Sequence, residues 1–273
     1  MACRDILART SIGEIMQPCP TFVSSRDLVT RARALMRSGG FRTLPVVDGG
    51  RLEGILTSRD IMRVTSTRSN IPVMGLMSAL QLVVTPADDL LKLSKEMLRL
   101  GVSDVPVVQS RTDRTVVGLV GLDDVLKKLG GSIKQSLTVE DTMTRNVITC
   151  GADDEISVVW DIMENTRCSG LPVVRFDRQK RRLEVIGMIT RSDIIRYGMA
   201  RLGEESDKGR FRFPPRVKLL MRTPAITATP GMSVAEAIEV MLSRNIGRLP
   251  VLSRNGLVGI VSRSDVIKAA CGE

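Results

Sequence analysis

Three times in this chain a hydroxyl is followed three residues later by an aspartate, with a glycine three residues ahead of the hydroxyl. The sets are Gly54-Thr57-Asp60, Gly187-Thr190-Asp193 and Gly259-Ser262-Asp265. A fourth copy, Gly118 to Asp124, keeps the glycine and the acid but carries Gly121 where the hydroxyl belongs. An apolar helical run follows each acid, so hydroxyl and carboxylate fall at a helix N-terminus. Two chemistries suit that placement. The side chains can cap the helix, the hydroxyl taking a backbone N–H and the acid favouring the first turn. Alternatively, the carboxylate can accept hydrogen bonds from two ribose hydroxyls while the hydroxyl and free helix N–H groups face a phosphate. Capping alone accounts for a hydroxyl and an acid. The glycine is additional: at a strand end it permits close approach of a ligand or of another backbone.

Other chemistry is narrowed by composition. The 273 residues include no histidine, which excludes Ser-His-Asp and Cys-His catalysis, histidine bases and His-ligated metals. The acid clusters Asp123-Asp124 and Asp153-Asp154-Glu155 sit where helix N-termini fall, so they need no catalytic reason. No catalytic residue and no metal ligand is assigned. Five cysteines (Cys3, Cys19, Cys150, Cys168, Cys271) form no C-x-x-C pair and read as incidental thiols of a reducing, cytoplasmic compartment. The N-terminus lacks a signal-peptide core. Ser69 to Ala87 is uncharged and close to spanning length, but Pro72 and Pro86 interrupt it and the repeat assigns it to a loop and a strand. The expectation is a soluble protein.

The elements that must position these groups come in four copies. Leu44-Pro45-Val46-Val47 recurs as Val105-Pro106-Val107-Val108, Leu171-Pro172-Val173-Val174 and Leu249-Pro250-Val251-Leu252. A methionine lies at one fixed distance before each proline: Met16, Met77, Met143 and Met221. Proline-to-glycine spacings differ, so insertions concentrate in one hairpin. Each unit reads as strand, helix, strand, strand, helix. In the fourth unit the first strand is Pro224 to Ala228, Ser233 and Glu236 form a capping box, and Val234, Ala237, Ile238, Met241 and Leu242 supply the apolar stripe. In the first unit Leu28, Val29, Ala32, Leu35 and Met36 do so, ended by Gly39-Gly40. The third strand should end at the motif glycine. A unit of this size buries one sheet face poorly, so units should pack in pairs. Boundaries are expected at 9–66, 70–131, 136–199 and 214–273, with linkers over 130–138 and 199–216.

This pattern resembles the CBS domain, named after cystathionine β-synthase, in four tandem copies covering nearly the whole chain. The resemblance rests on the methionines, the L-P-V-V run and the motif Gly54-Ile55-Leu56-Thr57-Ser58-Arg59-Asp60 with its copies at 187–193 and 259–265. It implies an α+β fold of β-α-β-β-α units, paired 1 with 2 and 3 with 4 into two Bateman modules. It further implies two clefts per module for adenosine derivatives, and a sensor rather than an enzyme. AMP, ADP or ATP would be a regulatory ligand, with no catalytic cofactor.

The four clefts are unequal. In the fourth, Arg248, two residues before Pro250, can reach phosphate, Thr227 and Ala228 would line the adenine side, and Ser262 and Asp265 complete the motif. The third keeps Thr149, Thr190 and Asp193, with Gly170 in place of Arg248. The first keeps Thr57 and Asp60, with Thr43 at that position beside Arg42, but Phe22 replaces Thr227. The second departs most, through Gly121, Val83 and Asp104, whose charge would repel phosphate. The expected order of binding is fourth, third, first, second.

The net charge is +10, and 31 of the 40 basic residues are arginine. Guanidinium forks match phosphate and carboxylate, so the balance suggests a polyanionic partner. Arg175, Arg178, Lys180, Arg181 and Arg182 crowd the longest hairpin, while Arg201, Lys208, Arg210, Arg212, Arg216, Lys218 and Arg222 populate the later linker. These loops could hold RNA, a ribosome or an acidic protein partner, or form a solvated surface of paired charges. With 3% aromatic residues, base-stacking platforms are improbable. A homodimer is compatible with the same features. The leading reading is a nucleotide sensor, and an RNA- or ribosome-associated regulatory factor is the alternative.

Overall fold

The computed structural model describes residues 3–18, 21–63, 71–133, 137–179, 181–197 and 215–272. After helix α1 (Cys3–Arg9), the first unit comprises α2 (Val29–Gly39), β1 (Thr43–Asp48), β2 (Arg51–Thr57) and α3 (Ser58–Met62). The second comprises α4 (Leu90–Leu100), β3 (Asp104–Val108), β4 (Val116–Gly121) and α5 (Leu122–Gly130). The third has α6 (Val139–Thr142), β5 (Cys150–Gly151), α7 (Ile156–Asn165), β6 (Gly170–Asp177), β7 (Arg182–Thr190) and α8 (Arg191–Arg196). The fourth has α9 (Val234–Ser243), β8 (Arg248–Ser253), β9 (Gly256–Ser262) and α10 (Arg263–Cys271). Local chemistry sets the ends. Asp89 accepts from the Lys92 amide at the start of α4, and Ser233 from the Glu236 amide at the start of α9. Left-handed Gly40 and Gly101 close α2 and α4.

In every unit the proline-valine strand pairs antiparallel with the strand carrying the motif glycine, as in Val46↔Gly54 and Val251↔Gly259. Two expectations are corrected. The motif glycine lies inside its strand rather than at its end, because the ladder runs on to the hydroxyl, as in Thr43↔Thr57 and Arg248↔Ser262. The first strand of each unit is also shorter than expected. Pro224 to Ala228 reduces to one parallel bridge, Ala228↔Val251, and only the third unit forms a two-residue strand, β5. The Ala228 amide donates to the Pro250 carbonyl and Leu252 donates back to Ala228. The next bond would need an N–H on Pro250, which proline lacks.

Methionine and glycine explain each other across the pairs. A Cβ on Gly54 would stand 2.9 Å from the Ser78 carbonyl and 3.0 Å from Met77 Sδ, both of the second unit. A Cβ on Gly118 would meet the Gln17 carbonyl at 2.9 Å and Met16 Sδ at 3.0 Å. Gly187 stands in the same relation to Arg222 and Met221, and Gly259 to Thr144 and Met143. Each glycine therefore admits the partner unit's backbone, which bonds to the same strand: Ile55 donates to Ser78 at 3.1 Å and Met188 to Arg222 at 2.9 Å. The exchange is reciprocal between units 1 and 2 and between units 3 and 4.

Helices join the modules in the other direction. One aliphatic core mixes Leu90, Met97, Val125 and Leu126 of the second unit with Val234, Ile238, Val266 and Ile267 of the fourth, and takes Leu7 from α1. A second core mixes Val29, Ala32, Met36 and Ile61 of the first unit with Val159, Trp160, Met163 and Ile194 of the third. Each unit is thus held to one neighbour by sheet and to another by helices. Among the described residues no helix is long and apolar enough to cross a membrane.

Candidate functional site

The motif's hydroxyl and acid close a reciprocal capping box at three helix starts. Thr57 Oγ1 donates to Asp60 Oδ2 at 2.6 Å and the Thr57 amide donates to the same oxygen at 2.8 Å, while the Asp60 amide returns to Thr57 Oγ1. Ser262 and Asp265 repeat this at 2.6 and 2.8 Å, and Thr190 and Asp193 form the same box. In the second unit only the Gly121 amide reaches Asp124, at 3.0 Å. Capping therefore consumes one carboxylate oxygen per unit and leaves Oδ1. Among the described residues, Oδ1 of Asp60 and of Asp265 has no partner. Asp193 Oδ1 accepts from Arg222 Nε at 2.7 Å, and Asp124 Oδ1 lies 3.5 Å from Lys127 Nζ.

The residues two before each proline meet in pairs, with opposite outcomes. In the first module Thr43 Oγ1 donates to Asp104 Oδ2 at 3.3 Å. Asp104 lies against the start of α5, where a Cβ on Gly121 would be 2.7 Å from its Oδ1. Glycine at 121 thus makes room for a carboxylate on the spot where the other units carry a hydroxyl. Burial raises the Asp104 pKa against the pull of Arg42. Arg42 NH2 lies 2.9 Å from Asp123 Oδ2 and 3.7 Å from Asp104, and Asp123 Oδ1 lies 2.6 Å from Arg263 Nε of the fourth unit. Burial opposes the Arg42 cation, but Asp104 and Asp123 outweigh it and hold its pKa above the ordinary value. Arg263 is only 5% exposed in its side chain, and burial, with Arg42 beside it, pushes its pKa down to about 10.

In the second module Arg248 faces Gly170. The guanidinium was expected over its own cleft; instead it crosses to the third unit, donating to the Gly170 carbonyl at 2.6 Å and to Ser169 Oγ. A Cβ on Gly170 would crowd the third unit's own strand, at 2.9 Å from Thr190 Cγ2 and 3.1 Å from the Ile189 carbonyl, with Arg248 Nε at an ordinary 3.5 Å. Among the described residues no carboxylate forms an ion pair with Arg248. Burial lowers its pKa, partly offset by Cys168 and Asp265. Nearby, Arg191 pairs with Glu164 Oε1 at 3.1 Å and Arg59 with Glu164 Oε2 at 3.0 Å, tying the third unit to the first.

The remaining expected residues fall into place around these groups. Ala228 is buried, Thr227 is half-buried beside it, and Pro250 is buried in β8 with its carbonyl on the Ala228 amide. Thr149 is half-buried just before β5, and Phe22 is 53% exposed at the corresponding place in the first unit. Sequence reasoning missed Asp123, Arg263, Arg191 and Glu164. For Arg191 and Arg263 the available signal was a basic residue directly after the hydroxyl; Asp123, which follows Gly121, and Glu164, in α7, had no such signal. Part of the basic surface is paired: Arg175 with Glu184, Lys218 with Asp153, and Arg222 with Asp193. Lys180, Arg201, Lys208, Arg210 and Arg212 lie outside the described residues. Among the described residues, no group of three or more Cys, Asp and Glu is placed to hold a metal ion.

A family model described as CBS domain matches residues 12–66, 73–131, 139–200 and 217–272. The chain is 29% identical over 273 residues to the uncharacterized protein MJ1404 of Methanocaldococcus jannaschii, covering 96% of this chain and 62% of that protein. It is 26% identical to MJ1225 of the same organism, covering 88% of this chain and 91% of that protein. The crystal structure of MJ1225, proposed to be an archaeal homologue of γ-AMPK, superposes with a TM-score of 0.83 at 24% identity, over 95% of this chain and 99% of that one. A conserved protein of Pyrococcus horikoshii superposes with a TM-score of 0.63 at 23% identity, over 96% of this chain and 100% of that one.

Proposed function

The chain belongs to the CBS domain family, and from that premise we propose that it is a non-catalytic regulatory protein that senses an adenine nucleotide, mainly through its second module. One observation carries the reading. Arg248 is a half-buried cation that forms no ion pair with a carboxylate among the described residues, at the meeting point of the third and fourth clefts. A guanidinium so placed favours an anion, and a phosphate satisfies its fork bidentately. The fourth cleft supplies the rest: Asp265 Oδ1 for the ribose, Ser262 and the start of α10 for phosphate, and Thr227, Ala228 and Pro250 for the base. The third offers Thr149, Thr190 and Asp193, but Arg222 must leave Asp193 before that oxygen can take ribose. The first retains Thr57 and Asp60, with Thr43 committed to Asp104. The second is filled by Asp104 itself.

Thermal unfolding with AMP, ADP, ATP, CMP and UMP tests the proposal. Adenine nucleotides at about 100 times the dissociation constant should stabilise by roughly 2.7 kcal/mol, while pyrimidine nucleotides should not. Equal shifts with both classes, or none with any nucleotide, would overturn it.

A further inference from the structure

The β6–β7 hairpin differs from its three counterparts. In the fourth unit the ladder reaches Leu252↔Leu257 and closes at Ser253↔Gly256. In the third, the equivalent rung Val174↔Val185 is followed by Arg175↔Glu184, Phe176↔Leu183 and Asp177↔Arg182. Three rungs project the ribbon by about 10 Å. Phe176 and Leu183 stand opposite each other and are 59% and 46% exposed. Side chains alternate along a strand, so they continue the face of half-buried Val174 and Val185 as one apolar strip. The ribbon is fixed at one side: Arg182 donates to the Arg254 carbonyl, and the Leu183 carbonyl lies against Gly256. Around the strip Arg178, Arg181 and Arg254 form no ion pair with a described carboxylate, whereas Arg175 is neutralised by Glu184.

We infer that this ribbon is a docking surface for an acidic polypeptide segment that carries apolar side chains. An apolar centre with an arginine rim is the composition of a protein interface, and the unpaired rim charges select a negative partner. Nucleic acid is the less favoured occupant. Single strands bind by stacking successive bases on aromatic rings, and this ribbon offers one ring with an aliphatic side chain opposite it. The surface is separate from the nucleotide clefts, so its test does not depend on them.

Fluorescence anisotropy on the full chain reads the inference directly. The probes are a short labelled peptide alternating Glu with Leu, an equally acidic Glu/Ser peptide, a Lys/Leu peptide and oligouridylate. The Glu/Leu peptide should bind best, and Phe176→Ser with Leu183→Ser, or Arg178→Ser with Arg181→Ser, should each weaken it about tenfold. Met74→Ser, a distant exposed apolar residue, is the control and should change nothing. All these side chains except Leu183 are more than half exposed or in the hairpin tip, and an unchanged melting curve verifies folding of each variant. Tighter binding of oligouridylate than of the Glu/Leu peptide, equal binding by the ribbon variants and the parent, or no peptide binding at all would overturn the inference.

Discussion

The two modules share one sheet pairing and differ in the charge at its centre. Where the first and second units meet, Thr43 faces Asp104, and the carboxylate sits where a hydroxyl would start a helix. Where the third and fourth meet, Gly170 faces Arg248, and a cation spans the gap without an ion-paired carboxylate among the described residues. One substitution in each pair decides the outcome. An acid at that place repels phosphate, while on the function proposed above an arginine facing a glycine keeps an anion site available. Asp123 ties the two centres together, since its oxygens hold Arg42 from one module and Arg263 from the other.

The comparison can be broken most severely at that tie. Asp123→Ala leaves a buried guanidinium at Arg263 and a half-buried one at Arg42, and should cost about 3 kcal/mol. Chemical denaturation measures it. A loss below about 1 kcal/mol would show that the modules do not depend on this bridge. Next in size is Gly187→Ala, whose new Cβ would meet the Arg222 carbonyl at 2.7 Å. We expect a loss of about 1–3 kcal/mol as the second module loosens. The same denaturation assay on Gly54→Ala should show a similar loss in the first module, because Ser78 stands at 2.9 Å there.

Arg248→Ala sharpens the contrast at the level of ligand. It should weaken AMP binding by about tenfold or more, while Arg42→Ala, in the acid-filled module, should change it far less. Equilibrium dialysis separates the two variants. The smallest effect concerns pH. Burial raises the Asp104 pKa, so its ionised form opposes folding above that pKa and the opposition vanishes once the carboxyl is protonated in both states. The stability of the parent relative to Asp104→Asn should therefore rise as pH falls through the carboxylate range. Melting curves of both proteins across that range check the sign.

Much of this was legible because it repeats. The Met16, Met77, Met143 and Met221 spacing exposed four units, and the hydroxyl–acid spacing located the capping boxes at Thr57, Thr190 and Ser262. The glycine left two readings open, since one sequence cannot say whether a ligand or a backbone comes close. The distances from Gly54 and Gly187 to their partner units' carbonyls show that a backbone does. The first strands were over-read because apolar composition does not register that Pro45, Pro106, Pro172 and Pro250 lack a donor. Arg248 was identified but aimed at its own cleft, as its acceptors, the Gly170 carbonyl and Ser169 Oγ, lie in a unit remote in sequence. The bridge through Asp123 joins residues remote in sequence and had no local pattern to betray it.

The central claim is that nucleotide binds in the second module while the first module's second cleft is closed by its own acid. Calorimetric titration of AMP into Asp265→Ala and Asp124→Ala, each below its melting transition, tests this most directly. Both substitutions remove a helix-start acid, so any general loss from capping, about 1 kcal/mol, falls on both. The account predicts that Asp265→Ala loses most of the binding heat and Asp124→Ala keeps it. Comparable losses in the two, or a loss confined to Asp124→Ala, would contradict it.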